Sequence, residues 1–598
     1  MSESGESGNN VSPSEGGESA GNNVFPSEGG ESADSNSFNA GYLYMIEYAF
    51  RTFPYLVIGI LISLVMLIRN LMYNRTIKNI LYSSLPFIIG LVLTIYIHTP
   101  KPKYYYMVDV MFGDKPKEID FERRRTPDAP MVGSSVLTIN NKDYIFIGGG
   151  ENQDDKLFEY NEATKEMVDI IKQTGINSKE ATYSALSIDM DKNGLDDLLV
   201  GRKSGVYLYK QVKPFIFKKS KIYESDGEDK IPLALSVSDY NRDGNPDIYV
   251  SYFINFKKYK GSVFNEPSHN RGNVMLQGKG KDEFVDVTVQ TNSAGKSNTF
   301  TSAFVDLDND GWVDIVTAHD SADIEILRNL EGKGFESIKP IDGKGNWMGI
   351  GIGDYDKDGD MDLFFTNLGT DTPKDRMSIG DLKEGQKQFF SHILLRNDGN
   401  FRFVDVTHKS GISGEGFGWG AVFADLNNNS NLDLLFADKF HINKAHMIIP
   451  SPSYYYEQND NGQYQRKIKY VNKNPGQTPL IADINKDNIK DVVWINMSGP
   501  ALYHLNKNKN NFINVRLPET TDFVNATVIL DTGKEKQTRQ VIQGGVGFGS
   551  NQTNLINFGL GKTDKVKSVE VKTLTGKVYK VDNPKINSQI TMKQLNTF

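Results

Sequence analysis

The sequence predicts a mainly-β protein of several domains, and three observations carry this prediction. Glycine (55 residues), tyrosine (28) and phenylalanine (33) are all frequent, which is typical of strands joined by many turns. Short β-type runs alternate with Gly/Asn/Asp turns from about residue 130 to 515. Within that region one acidic loop recurs six times. At 598 residues the chain is too long for one ordinary core, so we expect two or more domains.

Two features of the composition exclude function classes. The net charge of -8 argues against nucleic acid as a partner, because phosphate binding needs a basic face. The chain has no cysteine, which excludes disulfides, cysteine-ligated zinc and a thiol nucleophile.

Residues 1–41 form the first element, an acidic tail of Ser, Gly, Glu and Asn. It repeats a unit of 13 residues, GNNVSPSEGGESA at Gly8–Ala20 and GNNVFPSEGGESA at Gly21–Ala33. The segment has too few apolar side chains for their burial to offset the entropy lost when the segment becomes ordered. We therefore predict a disordered tail.

Two apolar stretches follow, within residues 50–98. Phe53–Ile68 and Ile80–Ile97 are each close to the length of about 20 residues that crosses a bilayer, so we predict two transmembrane helices that act as an anchor. A cleaved signal peptide fits poorly, because the first stretch starts far from the N-terminus and a second one follows. A buried hairpin in a soluble domain is the alternative.

The basic residues predict the orientation of this anchor. Arg69, Arg75 and Lys78 lie in the short connection, which the positive-inside rule assigns to the cytoplasm. Lys101 and Lys103 weaken this assignment. We therefore expect a membrane location, with everything after the second span on the extracytoplasmic side.

The repeated loop carries the clearest chemistry. DYDKDGDMDLFF, which begins at Asp354, has a carboxylate at positions 1, 3, 5 and 9 and Gly at position 6. A tight loop turns alternate side chains inward, and Ca²⁺ takes six to eight oxygen ligands, so the spacing predicts a calcium site completed by the carbonyl of position 7. It is not an EF-hand, which needs Glu at position 12 and a following helix. An acidic turn without metal is the alternative, and Mg²⁺ suits a flexible protein cage less well.

Side chains at positions 1, 3, 5 and 9 are the predicted ligands in all six loops. They are Asp189, Asp191, Asn193 and Asp197; Asp239, Asn241, Asp243 and Asp247; Asp306, Asp308, Asp310 and Asp314; Asp354, Asp356, Asp358 and Asp362; Asp425, Asn427, Asn429 and Asp433; and Asp483, Asn485, Asp487 and Asp491. The third and fourth loops offer four carboxylates each, and the fifth offers two and has Ser430 in place of Gly. We expect the fifth site to be the weakest or to stay empty.

These loops resemble the FG-GAP/VCBS repeats of β-propellers. The stretches NWMGIGIGDYDKDGDMDLFFTN (Asn346–Asn367) and FGWGAVFADLNNNSNLDLLFAD (Phe417–Asp438), with FVDVT at Phe284–Thr288 and Phe403–Thr407, resemble the ASPIC/UnbV, or cartilage-acidic-protein-like, family. Residues 524–578, with FGLG at Phe558–Gly561, look like its C-terminal domain. The Trp-Pro pair usual before the end of that domain is replaced by KTLTGK.

The resemblance implies a fold class and a domain order. With the segment 134–161 counted as a blade without an acidic loop, we predict a seven-bladed β-propeller, with six to eight blades compatible, a small C-terminal β domain and two N-terminal transmembrane helices. The order is an acidic tail (1–41), two membrane spans (50–98), a linker (99–130), the propeller (131–515) and an ASPIC/UnbV-like domain (516–598).

Three functions are compatible with this order. The first is a binding or adhesion module, whose non-repeating insertions 253–298, 369–392 and 439–474 meet an extracytoplasmic protein or glycan while calcium mainly holds the fold. The second is an envelope assembly scaffold. The third is an enzyme on a propeller, a hydrolase or a carbohydrate-active one, for which the chain offers no catalytic motif beyond the pair His319 and Asp320.

Overall fold

The computed structural model describes residues 116–597 except 125, 228, 261–262, 371–380, 413, 439, 443–447, 451–452, 468–471 and 473. The described residues belong to one compact unit, residues 104–598. Residues 1–103 lie outside the described part. Within the described part the architecture is mainly β, built from many small antiparallel sheets.

Seven sheets, here called blades 1 to 7, repeat one after another along the chain. Six have four strands, and the sheet of blade 1 has a fifth, Ser550–Asn551, which pairs parallel with Ser134 and Ser135. In each blade, neighbouring strands in sequence pair antiparallel, and the first two strands are almost entirely buried because both of their faces are covered. The strands of blades 1 to 3 are Ser134–Ile139, Lys142–Ile147, Lys156–Asn161 and Glu166–Asp169; Thr182–Ile188, Asp197–Arg202, Gly205–Lys213 and Ile216–Glu224; and Lys230–Ser238, Asp247–Ile254, Val274–Gly278 and Phe284–Asp286.

Blades 4 to 7 follow the same plan. Their strands are Thr299–Val305, Asp314–His319, Glu325–Asn329 and Phe335–Ile338; Ile350–Gly353, Asp362–Phe365, Ile393–Asn397 and Phe403–Asp405; Gly418–Ala424, Asp433–Asp438, Tyr454–Gln458 and Tyr464–Lys467; and Gly476–Ala482, Asp491–Asn496, Leu502–His504 and Lys117–Glu118.

The blades form a closed, β-propeller-like ring. The first strand of each blade lies against the first strand of the next, and blade 7 lies against blade 1 in the same way. The fourth strand of blade 7 is Lys117–Glu118, from the predicted linker, which pairs with Leu502 and Tyr503. The sheet of blade 7 therefore combines a strand that precedes blade 1 in the chain with three strands that follow blade 6, so the ring closes without a free strand edge there.

Two further sheets of two short strands each lie in the connections between blade strands. Ala322–Asp323 pairs with Lys344–Gly345, and Phe440–Ile442 pairs with Ile448–Pro450. Tyr454, Tyr455 and Tyr456 fall within the predicted insertion 439–474, but they are buried in the third strand of blade 6.

The C-terminal residues 511–597 form a separate β domain, here called the cap. Its strand Asn511–Arg516 lies almost wholly within the predicted propeller range but pairs inside the cap. The cap's sheets contain Leu555–Gly561, Asn511–Arg516 and Ser588–Thr591; and Lys536–Gln540, Thr527–Asp531, Ser568–Lys572, Val578–Asp582 and Asn596–Thr597.

The predicted fold class is wrong in its helical part. Among the described residues the only α-helix is Thr288–Thr291, a single turn, with 3₁₀ turns at Ile171–Gln173, Pro267–His269 and Met592–Gln594. No helix of this part is long and apolar enough to span a bilayer, which takes about 20 residues. The stretches 53–68 and 80–97, predicted to be transmembrane, and the tail 1–41 lie outside the described residues. The fold class is corrected to a mainly-β chain of many small sheets.

Candidate metal centre

The six acidic loops lie at the same end of the ring. Each connects the first and second strands of a blade, from blade 2 to blade 7. Blade 1 replaces the loop by a two-residue turn at Asn140 and Asn141, both with positive φ, the geometry of a tight hairpin. The ring therefore presents six loops at one end, here called the loop end.

The aspartate at position 9 clamps each loop to its blade. Asp362 is buried and accepts the N–H of Tyr355, at position 2 of the loop, and the N–H of Asn397, on the third strand, both at 2.9 Å. The same two kinds of bond recur at Asp197, Asp247, Asp314, Asp433 and Asp491. The residue predicted to close a metal cage thus also fixes the shape of the loop.

Three of the six predicted ligand sets bring carboxylates together. In each of these sets one oxygen from each of three aspartates lies within 4.8 Å of the others. The sets are Asp189, Asp191 and Asp197; Asp306, Asp308 and Asp310; and Asp354, Asp356 and Asp362. In the second, fifth and sixth loops the described residues form no such group.

Buried oxygens without partners distinguish the third and fourth loops. Asp306 Oδ1 and both carboxylate oxygens of Asp354 are buried and have no hydrogen-bond partner among the described residues. An unpaired buried carboxylate oxygen is costly, and a cation bound there removes the cost. Hard oxygen donors of this kind fit Ca²⁺, which would be held by the side chains of Asp306, Asp308 and Asp310 and of Asp354, Asp356 and Asp362.

The second and sixth loops satisfy their own carboxylates. Asn241 and Asn485, at position 3, donate through Nδ2 to the position-5 carboxylates of Asp243 and Asp487, at 3.0 and 2.9 Å. In both loops each oxygen of the first aspartate also accepts a backbone N–H. An ionised aspartate at position 3 has no hydrogen to donate to the carboxylate at position 5. Only the loops with aspartate at position 3 therefore keep a cluster of carboxylates that repel one another.

Burial raises the pKa of the first aspartate in several loops. Burial, with Asp310 beside it, raises the pKa of Asp306 to about 7. Burial raises the pKa of Asp354 to about 6, against the lowering effect of Arg539 from the cap. Both carboxyls therefore bind protons more tightly than ordinary aspartates do. Burial also raises the pKa of the first aspartate in the fifth and sixth loops to about 6, at Asp425 and Asp483, so these values do not separate the loops.

The cap covers the loop end and bonds to every loop or to the residue before it. The bonds run from Asp189 N–H to Glu519 O (2.8 Å), Ser238 O–H to Asn525 Oδ1 (2.8 Å), Asp306 N–H to Gln540 Oε1 (2.9 Å), Lys357 Nζ to Glu535 Oε1 (2.6 Å), Gly561 N–H to Asn428 O (2.7 Å) and Asn514 Nδ2 to Asn488 O (2.8 Å). Calcium held in these loops would therefore lie between ring and cap.

Arg539 of the cap brings positive charge to the fifth loop. Its side chain is half-buried, and burial lowers its pKa against the raising effect of Asp425 and Asp354. The carboxylate of Asp425 accepts the backbone N–H of Asn429 at one oxygen and of Ser430 at the other. The fifth loop, with only two carboxylates, therefore has an arginine and backbone donors where the fourth has unpaired oxygens.

A glycine-rich segment of the cap, residues 541–553 and here called the axial segment, runs along the centre of the ring. It contacts the first strand of all seven blades. The contacts, in blade order, are Ser134 N–H to Gly549 O, Ala185 N–H to Gly549 O, Val237 N–H to Gln543 O, Thr301 Oγ1 to Gly545 O, Gly547 N–H to Ile350 O, a bridge of Ala421 to Gly547, and Ile481 N–H to Gln552 Oε1.

Gly545 explains why this segment needs glycine. Its φ is +79°, and a Cβ at this position would lie 1.7 Å from the carbonyl oxygen of Ser302. No other residue fits such an approach. The high density of glycine in residues 541–553 is the signal that the sequence offers for this segment. The resemblance to the ASPIC/UnbV domain did not predict that the segment occupies the axis of the ring.

His319, the candidate catalytic residue, is held inside the ring. It is 2% exposed, and its Nδ1 lies 3.1 Å from Thr299 Oγ1. Its Nε2 lies 3.0 Å from Thr317 Oγ1 and 3.1 Å from Glu325 Oε2. Asp320 is also buried, with its oxygens bonded to Tyr259 and Asn346. With both ring nitrogens engaged, His319 packs the blade and is not poised as a base.

Comparisons with known proteins identify two kinds of module in the chain. FG-GAP-like repeats match at residues 189–250 and 306–365, and the ASPIC and UnbV domain matches at residues 517–597. Both resemblances drawn from the motifs are therefore confirmed. A search of the curated proteins gives no match.

Solved structures resemble the chain only distantly. One is a lectin from Agrocybe aegerita, described as recognising non-reducing terminal N-acetylglucosamine. It is 16% identical to this chain, the match covers 61% of this chain and 85% of the lectin, and the TM-score is 0.37. The complex of BBS1N with ARL6DN is 10% identical, covers 67% and 98%, and has a TM-score of 0.40. The rhamnogalacturonan lyase YesW is 11% identical, covers 67% and 76%, and has a TM-score of 0.36. Similarity this low carries no argument about function.

Proposed function

We propose that this chain is a calcium-stabilised β-propeller module that binds an extracytoplasmic protein or glycan. The supporting observation is the set of buried, unpaired carboxylate oxygens of Asp306 and Asp354 within two clusters of three aspartates. Such clusters are stable at neutral pH only with a counter-charge, and an all-oxygen set suits Ca²⁺.

Calcium has a structural role on this proposal. The cap bonds to the base of the loops, as at Gln540 and Asp306, while Asp191, Asp310 and Asp356 of the three clusters remain exposed. The opposite end of the ring carries the connections from second to third strands, which include the insertions 255–273, 366–392 and 439–453. Loops on a rigid scaffold are usual recognition elements, so the partner meets that end.

An extracytoplasmic location is part of the same proposal. Calcium sites in extracellular modules have dissociation constants of about 10⁻⁴–10⁻³ M and fill only where calcium is plentiful. In all three clusters one of the aspartates, Asp191, Asp310 or Asp356, is exposed to solvent, which favours affinities in this weak range.

Thermal unfolding of the purified chain in calcium, in magnesium and in EDTA tests the metal. Calcium at 100 times its dissociation constant stabilises the folded state by about 2.7 kcal/mol per site. We expect a higher midpoint in millimolar calcium than in EDTA, and a smaller gain with magnesium. Equal midpoints in all three solutions would remove calcium from the proposal.

Assembly with other envelope proteins is the second candidate, since the exposed insertions suit either partner. A glycan array and a pull-down against envelope proteins, both with the full chain and both with and without EDTA, separate the two. Binding to proteins that glycans do not compete away favours the scaffold, and binding to glycans favours the adhesion module.

A further inference from the structure

A cavity of about 250 Å³ lies at the end of the ring away from the acidic loops. Its lining comes from the second-to-third-strand connections of blades 3 and 4, such as Phe264 and Asp323, and from residues just before blades 4 and 5, such as Asn298 and Lys344. All of these lie at the opposite end from the first-to-second-strand loops. The cap does not line this cavity.

Asn298 offers the cavity an unused hydrogen-bond donor. The residue is 1% exposed, and its Oδ1 accepts the N–H of Ile254 at 3.0 Å, which fixes the orientation of the amide. Its Nδ2 has no partner among the described residues. An unpaired buried donor is costly, so a ligand that supplies an acceptor oxygen to it gains affinity.

Lys344 offers an unused positive charge. Its side chain is 13% exposed, and its ion-pair partner, Asp323 Oδ2, is 3.9 Å away, beyond hydrogen-bond distance. Lys339 already occupies the same oxygen at 2.9 Å. A second cation, Lys296, reaches Ser337 Oγ at 3.2 Å but stays 3.8 Å from Glu325.

The acceptors of the cavity are mostly taken. Glu325 faces His319 with one oxygen and accepts the hydroxyl of Ser337 with the other. Asp320 accepts from Tyr259 and Asn346. The two other carboxylates of the lining are also paired, Glu266 with Lys260 at 2.7 Å and Asp323 with Lys339 at 2.9 Å. The groups with open capacity are therefore the ammonium of Lys344 and the amide donor of Asn298, so the matching ligand carries an anionic group and additional acceptor oxygens.

We propose that this cavity binds a sugar acid, one hexuronate unit of an acidic glycan, with its carboxylate on the lysine side and a hydroxyl or ring oxygen on Asn298. This rests on the proposed function and names its partner class. The volume is just below the range of about 300–1,000 Å³ that holds drug-sized ligands, so one sugar ring fits. Ser297, Ser321 and Asn265 in the lining suit the hydroxyl groups of a sugar.

Calorimetric titration of the full chain with sodium galacturonate and glucuronate tests the site. We expect one hexuronate per chain, and at least tenfold weaker binding of galactose, acetate and inorganic phosphate. Lys344→Gln removes the charge. Asn298→Asp keeps the acceptor for Ile254 and removes the unused donor. Each variant should weaken hexuronate binding at least tenfold.

Lys333→Gln is the matched control, because Lys333 lies at the loop end of the same blade and is 76% exposed. It should leave hexuronate binding unchanged. Wild-type affinity in Lys344→Gln would overturn the proposal, and so would equal binding of galactose and galacturonate or tighter binding of phosphate. The calcium-dependent midpoint is measured on the same samples. If calcium still raises the unfolding midpoint but hexuronate does not bind, only the proposed ligand is overturned. If calcium does not raise the midpoint, the proposed function itself is overturned.

Discussion

At the scale of single residues, the side chain at position 3 of an acidic loop decides whether the carboxylates of that loop need a cation. Asn485 donates its amide hydrogen to Asp487 and so neutralises part of its own loop. Asp356, at the same position of the fourth loop, has no hydrogen to donate, and it joins Asp354 and Asp362 in a cluster. The carboxylate count places the first loop level with the second and sixth, whereas the structure clusters its aspartates Asp189, Asp191 and Asp197 as it does those of the third and fourth loops. The residue at position 3, and not the count alone, accounts for this difference.

The first prediction compares loop 3 with loop 5. Asp306→Asn should remove one calcium site, because it removes the negative charge of a buried carboxylate whose Oδ1 has no other partner. Asp425→Asn should leave the number of sites unchanged, because Arg539 and two backbone N–H groups already face Asp425. Calcium titration by calorimetry, below the unfolding temperature of both variants, gives the stoichiometry. An equal loss in the two variants would contradict this assignment.

The second prediction concerns pH. An aspartate has a pKa of about 3.9 in the unfolded chain, whereas Asp306 in the folded chain without metal has a pKa of about 7. The metal-free protein therefore loses stability as pH rises from about 4 to 7, since the folded state holds this proton longer. Calcium needs the ionised carboxylate and reverses the trend. The gain in midpoint from calcium should be larger at pH 8 than at pH 5.5, and a gain independent of pH would contradict this.

At the scale of elements, the sequence predicts local units well and long-range placement poorly. Strand, turn and loop follow from alternation and turn chemistry, and the loops fall between first and second strands as their flanking apolar runs predict. The burial of Tyr455 depends on pairing with Leu435 across the blade, which no local pattern encodes. The position of the axial segment depends on seven strands from residues 134 to 482, far away in sequence.

The third prediction uses two glycines with the same backbone shape. Gly545 and Gly533 have φ values of +79° and +85°, but a Cβ on Gly533 meets nothing within 4 Å. Gly533→Ala should cost about 1–2 kcal/mol, from the left-handed conformation alone. Gly545→Ala also collides with Ser302 and should cost at least 3 kcal/mol, or prevent folding. Urea unfolding of the two variants measures the difference, and equal losses would show that the axial segment can move aside.

At the scale of the whole molecule, ring and cap are joined too extensively to be separate folding units. The cap bonds at each acidic loop, and the axial segment bonds along the inner strand of every blade. Blade 1, which lacks an acidic loop, is tied by an ion pair of Arg516 with the buried Asp143 at 3.3 Å. Removing the cap would expose all of these partners at once.

The last prediction is that ring and cap unfold together. All four tryptophans, Trp312, Trp347, Trp419 and Trp494, belong to the ring, so their fluorescence reports ring unfolding alone. Amide hydrogen exchange in the strand Thr527–Asp531 reports the cap. Because each part supplies buried hydrogen-bond partners to the other, we expect coincident midpoints in denaturant, both in calcium and in EDTA. Calcium should move both midpoints by the same amount, since the loops lie between the two parts. Earlier exchange of the cap, with the tryptophan signal still native, would contradict this coupling and show that the ring stands without its axial segment.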